Sequence, residues 1–377
     1  MAQKYDVAAF IWPAYTGDEP RTRPFWPEGM GEWQSVKNAK PKFEGHQWPR
    51  RPLWGYVNEA DPYVMEMEIE CAARHGVNVF IYDWYWYDDR PFLENCLNDG
   101  YLKAANNDKV KFYLMWANHD ATNLWNIETA DDFGNTVTWK GSVGMEIFKK
   151  LVDRWITKYF SHPSYYKADG CPVFMLYDLR KFEEGFGGRK GALEAVNYFR
   201  EEVKKAGYPG LHLQLVTWGN GPYATFNYKG IGGTEETRPL AEYLGFDSMT
   251  YYQWVSVVNF GRDYAEVLPD VQKDYELMAE QKIPFIPQVS LGWDNNPRFK
   301  RLKPTITTNT TPEMIEKGLR QARVYADTHD LPIPMVVINS WNEWTETSYL
   351  HPDDINGYGY LEAVKKVFVD EVNGTEA

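Results

Sequence analysis

Cysteine is scarce in this chain, and positive charge is in deficit. Its 377 residues include three cysteines, Cys71, Cys96 and Cys171, and 40 Lys and Arg against 53 Asp and Glu, a formal net charge of −13. The cysteines form no CxxC or Cys/His pattern, which argues against a disulfide framework or a structural zinc site. The negative charge would repel a nucleic-acid backbone or an anionic membrane surface. We therefore expect no metal, no cofactor and no nucleic-acid partner.

Long apolar runs and low-complexity tracts are absent as well. Without a run of about 18 apolar residues, a helical membrane span is not expected. The chain enters a strand-like segment at Tyr5, which leaves no room for a signal peptide. As written, the sequence predicts a cytoplasmic protein, or a periplasmic or secreted one if a leader has been removed.

Aromatic residues are plentiful by contrast. The chain contains 16 Trp, 26 Tyr and 19 Phe, and many of them stand beside polar residues. Flat rings stack on the faces of sugars while neighbouring polar groups bond the hydroxyls, but aromatic residues also simply fill cores. The composition is that of a globular protein with a large core, and it favours an oligosaccharide or polysaccharide as the partner.

Eight apolar segments alternate with amphipathic ones. The predicted strands are Tyr5 to Trp12, Val77 to Trp86, Lys111 to Asn118, Pro172 to Asp178, Leu211 to Trp218, Phe246 to Trp254, Phe285 to Asp294 and Pro334 to Trp341. The predicted helices are Pro62 to His75, Pro91 to Ala105, Val143 to Phe160, Arg189 to Ala206, Thr237 to Leu244, Tyr264 to Gln281, Pro312 to Thr328 and Tyr360 to Val369. Each strand is thus followed by a helix.

Eight βα units without a composition break predict one α/β catalytic domain over residues 1–377, a (β/α)8 TIM barrel. Its βα loops are long, notably Ala14 to Glu59 after the first strand, which we interpret as a lid or a substrate-facing excursion. An open doubly wound sheet is the alternative. That fold would show a Gly-rich phosphate turn after the first strand, where Trp12-Pro13-Ala14-Tyr15 stands.

The predicted strands end in aromatic, acidic or amide residues. In a (β/α)8 barrel the active site lies at these ends. The candidate substrate-binding residues are therefore Trp12, Tyr15, Asp83, Trp84, Tyr85, Asn118, His119, Asp120, Tyr177, Asp178, Trp218, Tyr252, Trp254, Trp293, Asp294, Asn342 and Trp344. The density of Trp and Tyr indicates a carbohydrate site.

Glu343 and Glu346 form the sharpest pair at these ends and are the candidate catalytic residues. Cleavage of a glycosidic bond needs one protonated carboxyl for the leaving oxygen and a second carboxylate for the cationic centre. Burial and like charge would raise one pKa and suit that group to act as the acid. The alternative for Glu346 is a cap or a salt bridge.

Other acidic residues allow two interpretations. Asp83 and Asp178 could bind substrate hydroxyls or make structural hydrogen bonds to loops. His119 between Asn118 and Asp120 suits hydroxyl binding, but a lone histidine is weak evidence for a metal. The pair Asp88-Asp89 is compatible with the metal-binding pair of a nucleotide-sugar transferase, yet such pairs are common on solvated loops.

Several motifs together resemble the WbsX-type proteins, which are similar to glycoside hydrolase family 99. They are Trp12-Pro13-Ala14-Tyr15, Glu32-Trp33, Lys37 to Pro41, Pro52 to Tyr56, Phe80 to Trp86, Met115 to His119, Gly292-Trp293-Asp294, Trp341 to Glu346 and Gly357 to Ala363. The resemblance covers nearly the whole chain. It implies a (β/α)8 barrel and a retaining hydrolase of α-mannoside-like glycans that uses no metal.

Family 99 uses the 2-hydroxyl of the sugar as nucleophile and passes through a 1,2-anhydro sugar. By its place in the motif, Glu343 corresponds to the base toward that hydroxyl and Glu346 to the acid/base. Thr345 departs from the pattern, because family 99 carries His there. Two alternatives stay open: a glycosyltransferase in surface polysaccharide biosynthesis, and a non-catalytic carbohydrate-binding barrel.

Overall fold

Eight parallel strands form one sheet in the computed structural model, which describes residues 4–17, 19–219, 225–231 and 238–374. They are β1 (Asp6–Ile11), β2 (Val79–Tyr87), β3 (Lys111–Trp116), β4 (Cys171–Leu176), β5 (His212–Val216), β6 (Ser248–Thr250), β7 (Gln288–Ser290) and β8 (Met335–Asn339). All eight predicted strands are confirmed, each shortened or shifted by a few residues at its ends.

The strand order closes the sheet into a barrel. Neighbouring strands run β6-β5-β4-β3-β2-β1-β8-β7, and β1 pairs with β8 from Asp6↔Met335 to Ala9↔Ile338. The remaining gap, between β6 and β7, is bridged at Met249, whose N–H donates to Pro284 O at 2.8 Å and whose carbonyl accepts from Ile286 N at 2.7 Å. The predicted (β/α)8 architecture is therefore confirmed, whereas the extent of the domain over residues 1–377 stays a prediction.

Helices follow the strands around the outside. They are α1 (Trp33–Asn38), α2 (Pro62–Arg74), α3 (Ala130–Phe133), α4 (Met145–Arg154), α5 (Leu179–Gly185), α6 (Arg189–Lys205), α7 (Leu240–Leu244), α8 (Tyr264–Ala279), α9 (Pro312–Thr328), α10 (Gly359–Lys365) and α11 (Glu371–Gly374). Wider π turns at Trp155–Phe160 and Lys366–Asp370 extend α4 and α10. None of the helices within the described ranges combines the length and apolar character that a bilayer crossing needs.

Capping residues explain why two of the helices begin where the sequence predicts. The Asp61 carboxylate accepts from Tyr63 N at the start of α2, and the Thr311 hydroxyl accepts from Met314 N at the start of α9. Each cap satisfies a backbone donor that lacks an intrahelical partner, and proline occupies the first helical position after each. Part of one other prediction, Thr237 with the glycines Gly232 and Gly233, lies outside the described residues.

The predicted helix from Pro91 to Ala105 is wrong. Strand β2 continues beyond the barrel, and Arg90–Phe92 turns back to pair antiparallel with its end. Asp88 and Asp89 form the turn with φ of 55° and 54°, the left-handed conformation of two-residue hairpin turns. Only short π and 3-10 turns, Cys96–Gly100 and Tyr101–Lys103, follow. The Asp88-Asp89 pair is thus a hairpin turn, and its carboxylates are exposed.

Many aromatic side chains pack between the strands and the helices. Trp155, fully buried, lies 4.4 Å from Phe174 and 5.4 Å from each of Trp84, Trp116 and Phe199, measured between ring centroids. Rings at such distances in tilted and edge-on arrangements stabilise a core. A large part of the aromatic content therefore serves packing on this side of the barrel.

The segment between β1 and α2 folds back over the carboxyl ends of β7 and β8. The Trp33 indole of α1 packs against Tyr15, 4.3 Å away, and donates to Val57 O at 2.7 Å. Farther along, Leu53 N donates to Pro352 O at 2.9 Å. The excursion therefore forms a wall of the rim where β8 ends.

Candidate active site

The chain beyond β8 makes a tight reversal at the barrel rim. Asn342–Glu343 pairs antiparallel with Ser348–Tyr349, and a 3-10 turn, Trp344–Glu346, joins them. Asn342 anchors this reversal to β1, because its amide accepts from Trp12 N at 2.8 Å and donates to Trp12 O at 2.9 Å. The side chain thus continues the β1–β8 pairing after the strands have ended, which places Glu343 beside Trp12.

Arg298 lies at the centre of three carboxylates. Its Nη2 donates to Glu343 Oε1 at 2.7 Å, its Nη1 to Glu346 Oε1 at 2.7 Å, and its Nε to Glu32 Oε1 at 2.9 Å. The guanidinium belongs to a 3-10 turn after β7 and is buried. A planar fork of donors suits such multiple charge-assisted hydrogen bonds. One guanidinium therefore holds both candidate catalytic acids.

The sequence alone does not identify two of these residues as site residues. Glu32 stands there only within the motif Glu32-Trp33, and Arg298 belongs to none of the motifs. Trp12 Nε1 donates to Glu32, and the Trp12 ring centroid lies 5.9 Å from the Arg298 guanidinium carbon. No sequence pattern distinguishes Arg298 as a site residue, because it is one of several basic residues in the loop after β7. The predicted salt-bridge alternative for Glu346 is also present, since Arg298 is its partner.

Asp83, near the point where β2 leaves the barrel, lies close enough to Glu343 and Glu346 for their charges to interact. The Tyr252 hydroxyl donates to Asp83 Oδ2 at 3.0 Å, and Asp83 is 3% exposed. Within the described residues, neither Asp83 Oδ1 nor Glu346 Oε2 has a hydrogen-bond partner. Buried carboxylate oxygens are rarely left unpaired, so these two are suited to accept from ligand hydroxyls.

Burial controls the protonation of the cluster. It raises the pKa of Glu343 well above its ordinary value, and the charge of Glu346 raises it further while Arg298 opposes both effects. Burial also raises the pKa of Glu346 against the charge and hydrogen bond of Arg298, and raises that of Asp83 against the Tyr252 hydrogen bond. Burial therefore favours the protonated forms of Glu343, Glu346 and Asp83, and Arg298 opposes this at the two glutamates.

A continuous wall of rings lies beside the acids. Neighbouring ring centroids are 4.8 to 5.7 Å apart along the series Trp12, Tyr85, His119, Tyr177 and Trp218. Tyr252 joins it at 5.3 Å from Tyr177. His119, Tyr177 and Trp218 are partly exposed. The structure thus brings together six of the predicted aromatic and histidine residues.

Three of the predicted indoles are buried outside this group. Trp84 Nε1 donates to Glu94 Oε1 at 2.8 Å, Trp254 Nε1 to Gln288 O at 2.9 Å, and Trp344 Nε1 to His351 Nδ1 at 3.2 Å. Trp84 follows Asp83 in β2, and successive side chains of a strand point to opposite faces. These indoles belong to the packing behind the rim.

Three further candidate residues, Asn118, Asp120 and Asp178, make polar contacts with the loops around them. The Asn118 amide donates to Asp178 O at 2.7 Å and accepts from Asp178 N at 2.8 Å. The Asp178 carboxylate caps α5 by accepting from Lys181 N, and Asp120 pairs with Lys181 Nζ at 3.1 Å. These bonds tie the ends of β3 and β4 together and hold His119 and Tyr177 in the wall.

The remaining candidates support the reversal after β8. Asp294 pairs with His46 Nε2 at 2.6 Å, and its backbone N–H donates to Glu346 O at 2.9 Å. The Tyr15 hydroxyl accepts from Trp344 N at 3.1 Å. Trp293 is partly exposed beside Asp294.

One group of three side chains among the described residues has the spacing of a metal site: Glu59, Glu68 and His351, all buried. Since Trp344 Nε1 donates to His351 Nδ1, the neutral ring carries its proton on Nε2, which lies 3.5 Å from Glu68 Oε2. A histidine that binds a metal uses its unprotonated nitrogen and donates a hydrogen bond from the other nitrogen. In His351 the nitrogen that faces the carboxylates is the protonated one. The polarity of His351 therefore does not suit a metal ligand at this group.

Glu59 connects this buried group to the rim. Asn342 Nδ2 lies 3.0 and 2.9 Å from its two carboxylate oxygens. Burial raises the pKa of Glu59 well above its ordinary value, and the charge of Glu68 raises it further, while hydrogen bonds from Asn342 and Cys96 oppose the shift. Burial and the neighbouring Glu68 therefore favour the protonated form of Glu59 at the base of the site.

Substitution Glu59→Gln should flatten the pH dependence of stability. In the parent protein folded Glu59 keeps a proton that the unfolded chain releases, so the free energy of unfolding falls as the pH rises above the unfolded pKa. Without this group the slope should be shallower by up to about 1.4 kcal/mol per pH unit. Urea unfolding across a pH series measures the slope, with Glu146→Gln, an exposed carboxylate, as control. Equal slopes for Glu59→Gln and the parent would contradict the assignment.

The solved structures that share this fold include two with a TM-score of 0.60. The chain superposes on the GH99 endo-alpha-mannosidase from Bacteroides thetaiotaomicron with a TM-score of 0.60 and 14% identity, over 100% of this chain and 99% of that one. A protein described as glycoside hydrolase-like gives a TM-score of 0.60 and 14% identity, over 97% of this chain and 94% of that one. At such identities the likeness shows the fold.

Sequence comparison gives the family. The chain is 25% identical over 376 residues to the uncharacterized protein WxcX of Xanthomonas campestris pv. campestris, covering 96% of this chain and 49% of that protein. It therefore spans about half the length of the curated relatives that it matches. The family described as "Glycosyltransferase WbsX" matches residues 7–364, and the chain therefore belongs to the WbsX family.

Proposed function

We propose that this protein is a glycoside hydrolase that cleaves an α-linked, mannoside-like glycan with retention of configuration. The observation that carries the proposal is the pairing of Glu343 and Glu346 on the single buried guanidinium of Arg298, at the carboxyl end of β8. The ring wall beside them offers faces for sugar stacking, and the two unpaired oxygens of Asp83 and Glu346 offer acceptors for hydroxyls. In this proposal the acid, the base and the rings that stack on the sugar lie on the same rim of the barrel.

The charge balance of the cluster supports acid catalysis. Three carboxylates, Glu32, Glu343 and Glu346, contact one guanidinium, and burial raises the pKa of both Glu343 and Glu346. A retained proton is what the departing glycosidic oxygen needs. A carboxylate that stays ionised can act as the base in the same step.

The division of roles follows the family motif. Glu343 removes the proton of the sugar 2-hydroxyl as that oxygen forms a bond to C1, and Glu346 gives its proton to the leaving oxygen as the glycosidic bond breaks. Water then opens the 1,2-anhydro sugar: Glu346 takes the proton of the water, and Glu343 returns its proton to the 2-oxygen. Thr345 Oγ1, which donates to Glu343 Oε1 at 3.3 Å, replaces the histidine of family 99 and supports the base.

A glycosyltransferase is the second candidate, because the family description names that activity. Such an enzyme would bind a nucleotide- or lipid-linked sugar through its diphosphate. The electrostatics of the site oppose this ligand, since the Arg298 guanidinium is already paired with three carboxylates. A non-catalytic barrel would bind glycans without cleaving them.

Substitution of either acid should abolish hydrolysis. Glu343→Gln and Glu346→Gln keep the shape of the side chains but remove the base or the acid, and each should lower the rate by about 10²–10⁴-fold. Digestion of a glycan library followed by product analysis identifies the substrate and measures the rates. Glu146→Gln serves as the matched exposed control. Rates near that of the parent for both variants would refute the assignment of the pair.

The sugar 2-hydroxyl should be essential if it is the nucleophile. A substrate whose 2-hydroxyl is methylated cannot form the 1,2-anhydro sugar, so turnover should be lost while the unmodified substrate is cleaved. Product release monitored by chromatography compares the two. Equal rates would exclude participation of the 2-hydroxyl and leave a two-carboxylate mechanism with a Glu nucleophile.

Nucleotide sugars should not bind measurably. The Arg298 guanidinium is already paired with Glu32, Glu343 and Glu346, so it offers no free positive charge to a diphosphate. Isothermal titration with a panel of UDP- and GDP-linked sugars measures this, with a neutral oligosaccharide as comparison. Binding of a nucleotide sugar, together with transfer to an acceptor, would favour the transferase and overturn the hydrolase.

A further inference from the structure

A separate cleft of about 370 Å³ opens beside the reversal after β8, at Thr347. Its walls come from three parts of the chain: the segment after β1, with Phe43 and Trp48; the loop after β7, including residues 307–311; and the loop after β8, with Ile355. All three lie on the carboxyl-end side of the barrel. A cleft of this volume is in the range of ligand-binding pockets.

The lining is polar but carries no unpaired charge among its described residues. Four threonines and Asn309 provide hydroxyl and amide groups in the loop after β7. The charged lining groups are paired: His46 with Asp294 at 2.6 Å, and Arg50 with Asp353 at 3.9 Å. An anionic ligand would compete with these carboxylates, whereas an uncharged, hydroxyl-rich ligand finds donors and acceptors without breaking an ion pair.

Apolar side chains at the mouth of the cleft are exposed. Phe43 is 46% exposed and its ring stacks on His46 with centroids 4.6 Å apart, while Ile355 is 42% exposed. A supported ring beside a polar cleft presents a flat face to solvent. Sugars offer a matching surface, since their C–H faces stack on rings and their hydroxyls reach polar groups.

The cleft adjoins the segment that carries Glu346. Asp294 lines it and donates its backbone N–H to Glu346 O at 2.9 Å; Thr347, the next residue, also lines it and donates its hydroxyl to Asp294 O at 2.9 Å. The cleft therefore shares a wall with the turn that carries Glu346.

We infer that this cleft binds uncharged sugar units of the glycan, next to the turn that carries Glu346. The inference rests on the proposed hydrolase function. It gives the protein a preference for neutral glycans long enough to occupy the cleft, over monosaccharide-sized or charged ones.

Binding to the double variant Glu343→Gln/Glu346→Gln, which should not turn over substrate, tests the cleft. Isothermal titration uses neutral α-linked mannotetraoses, methyl α-mannopyranoside and tetragalacturonate as probes. The same titrations with the parent protein serve as the comparison. Two changes address the cleft: Phe43→Ala removes the ring, and Thr308→Trp, at an exposed lining residue, fills the space. Tyr63→Ala and Thr157→Trp are matched controls at exposed positions outside the lining.

Both cleft variants should weaken binding of a mannotetraose by about tenfold, or about 1.4 kcal/mol, and leave methyl α-mannopyranoside unaffected. The controls should match the parent, and circular dichroism verifies folding. Unchanged tetraose affinity in both variants, tighter binding of tetragalacturonate, or no binding of any neutral tetraose would overturn the inference. Binding that depends on Phe43 without cleavage by the parent would support a neutral-glycan cleft and refute the hydrolase. Cleavage by the parent together with unchanged tetraose affinity in both variants would support the hydrolase and refute the neutral-glycan cleft.

Discussion

The contact between the Arg298 guanidinium and three glutamates is the constraint on which the rim depends. Glu343 and Glu346 come from the reversal after β8, Glu32 from the segment after β1, and Arg298 from the loop after β7. Buried carboxylates cannot remain together without a counter-charge or protons. A single planar cation satisfies three of them at once, so the loops after three adjacent strands are held in one arrangement, and the same contact tunes the protonation of the acid pair.

A second tier of buried polar groups supports this arrangement from below. Asn342 bonds both the Trp12 backbone and the Glu59 carboxylate, and Trp12 in turn donates to Glu32. Hydrogen bonds of Asn342 and Trp12 therefore link the buried acid Glu59 to Glu32 at the rim. Because each member is anchored by its neighbour, the side chains are positioned before any ligand arrives, which is the condition for electrostatic catalysis.

Much of the site was predictable because strand ends are encoded locally. A short apolar run followed by a carboxylate or a ring identifies Asp83, Tyr177 and Glu343 as rim residues, and in a barrel such ends must meet. The errors arise where a second structural rule intervenes. Side-chain alternation sends Trp84 to the outer face although it follows Asp83, and the Asp88-Asp89 hairpin replaces the predicted helix from Pro91. Pairing with β2 holds Arg90–Phe92 extended, so helical turns begin only at Cys96.

The sequence by itself determined the barrel, the order of its strands along the chain and the acid pair, because apolar periodicity and turn residues act over a few neighbouring positions. Only the tertiary structure decided that Arg298 is the partner of Glu32, Glu343 and Glu346, and that Phe43 and Thr308 face one cleft. These residues are far apart along the chain, and no local pattern specifies which loops meet when the sheet closes. The ion cluster and the cleft are properties of that closure.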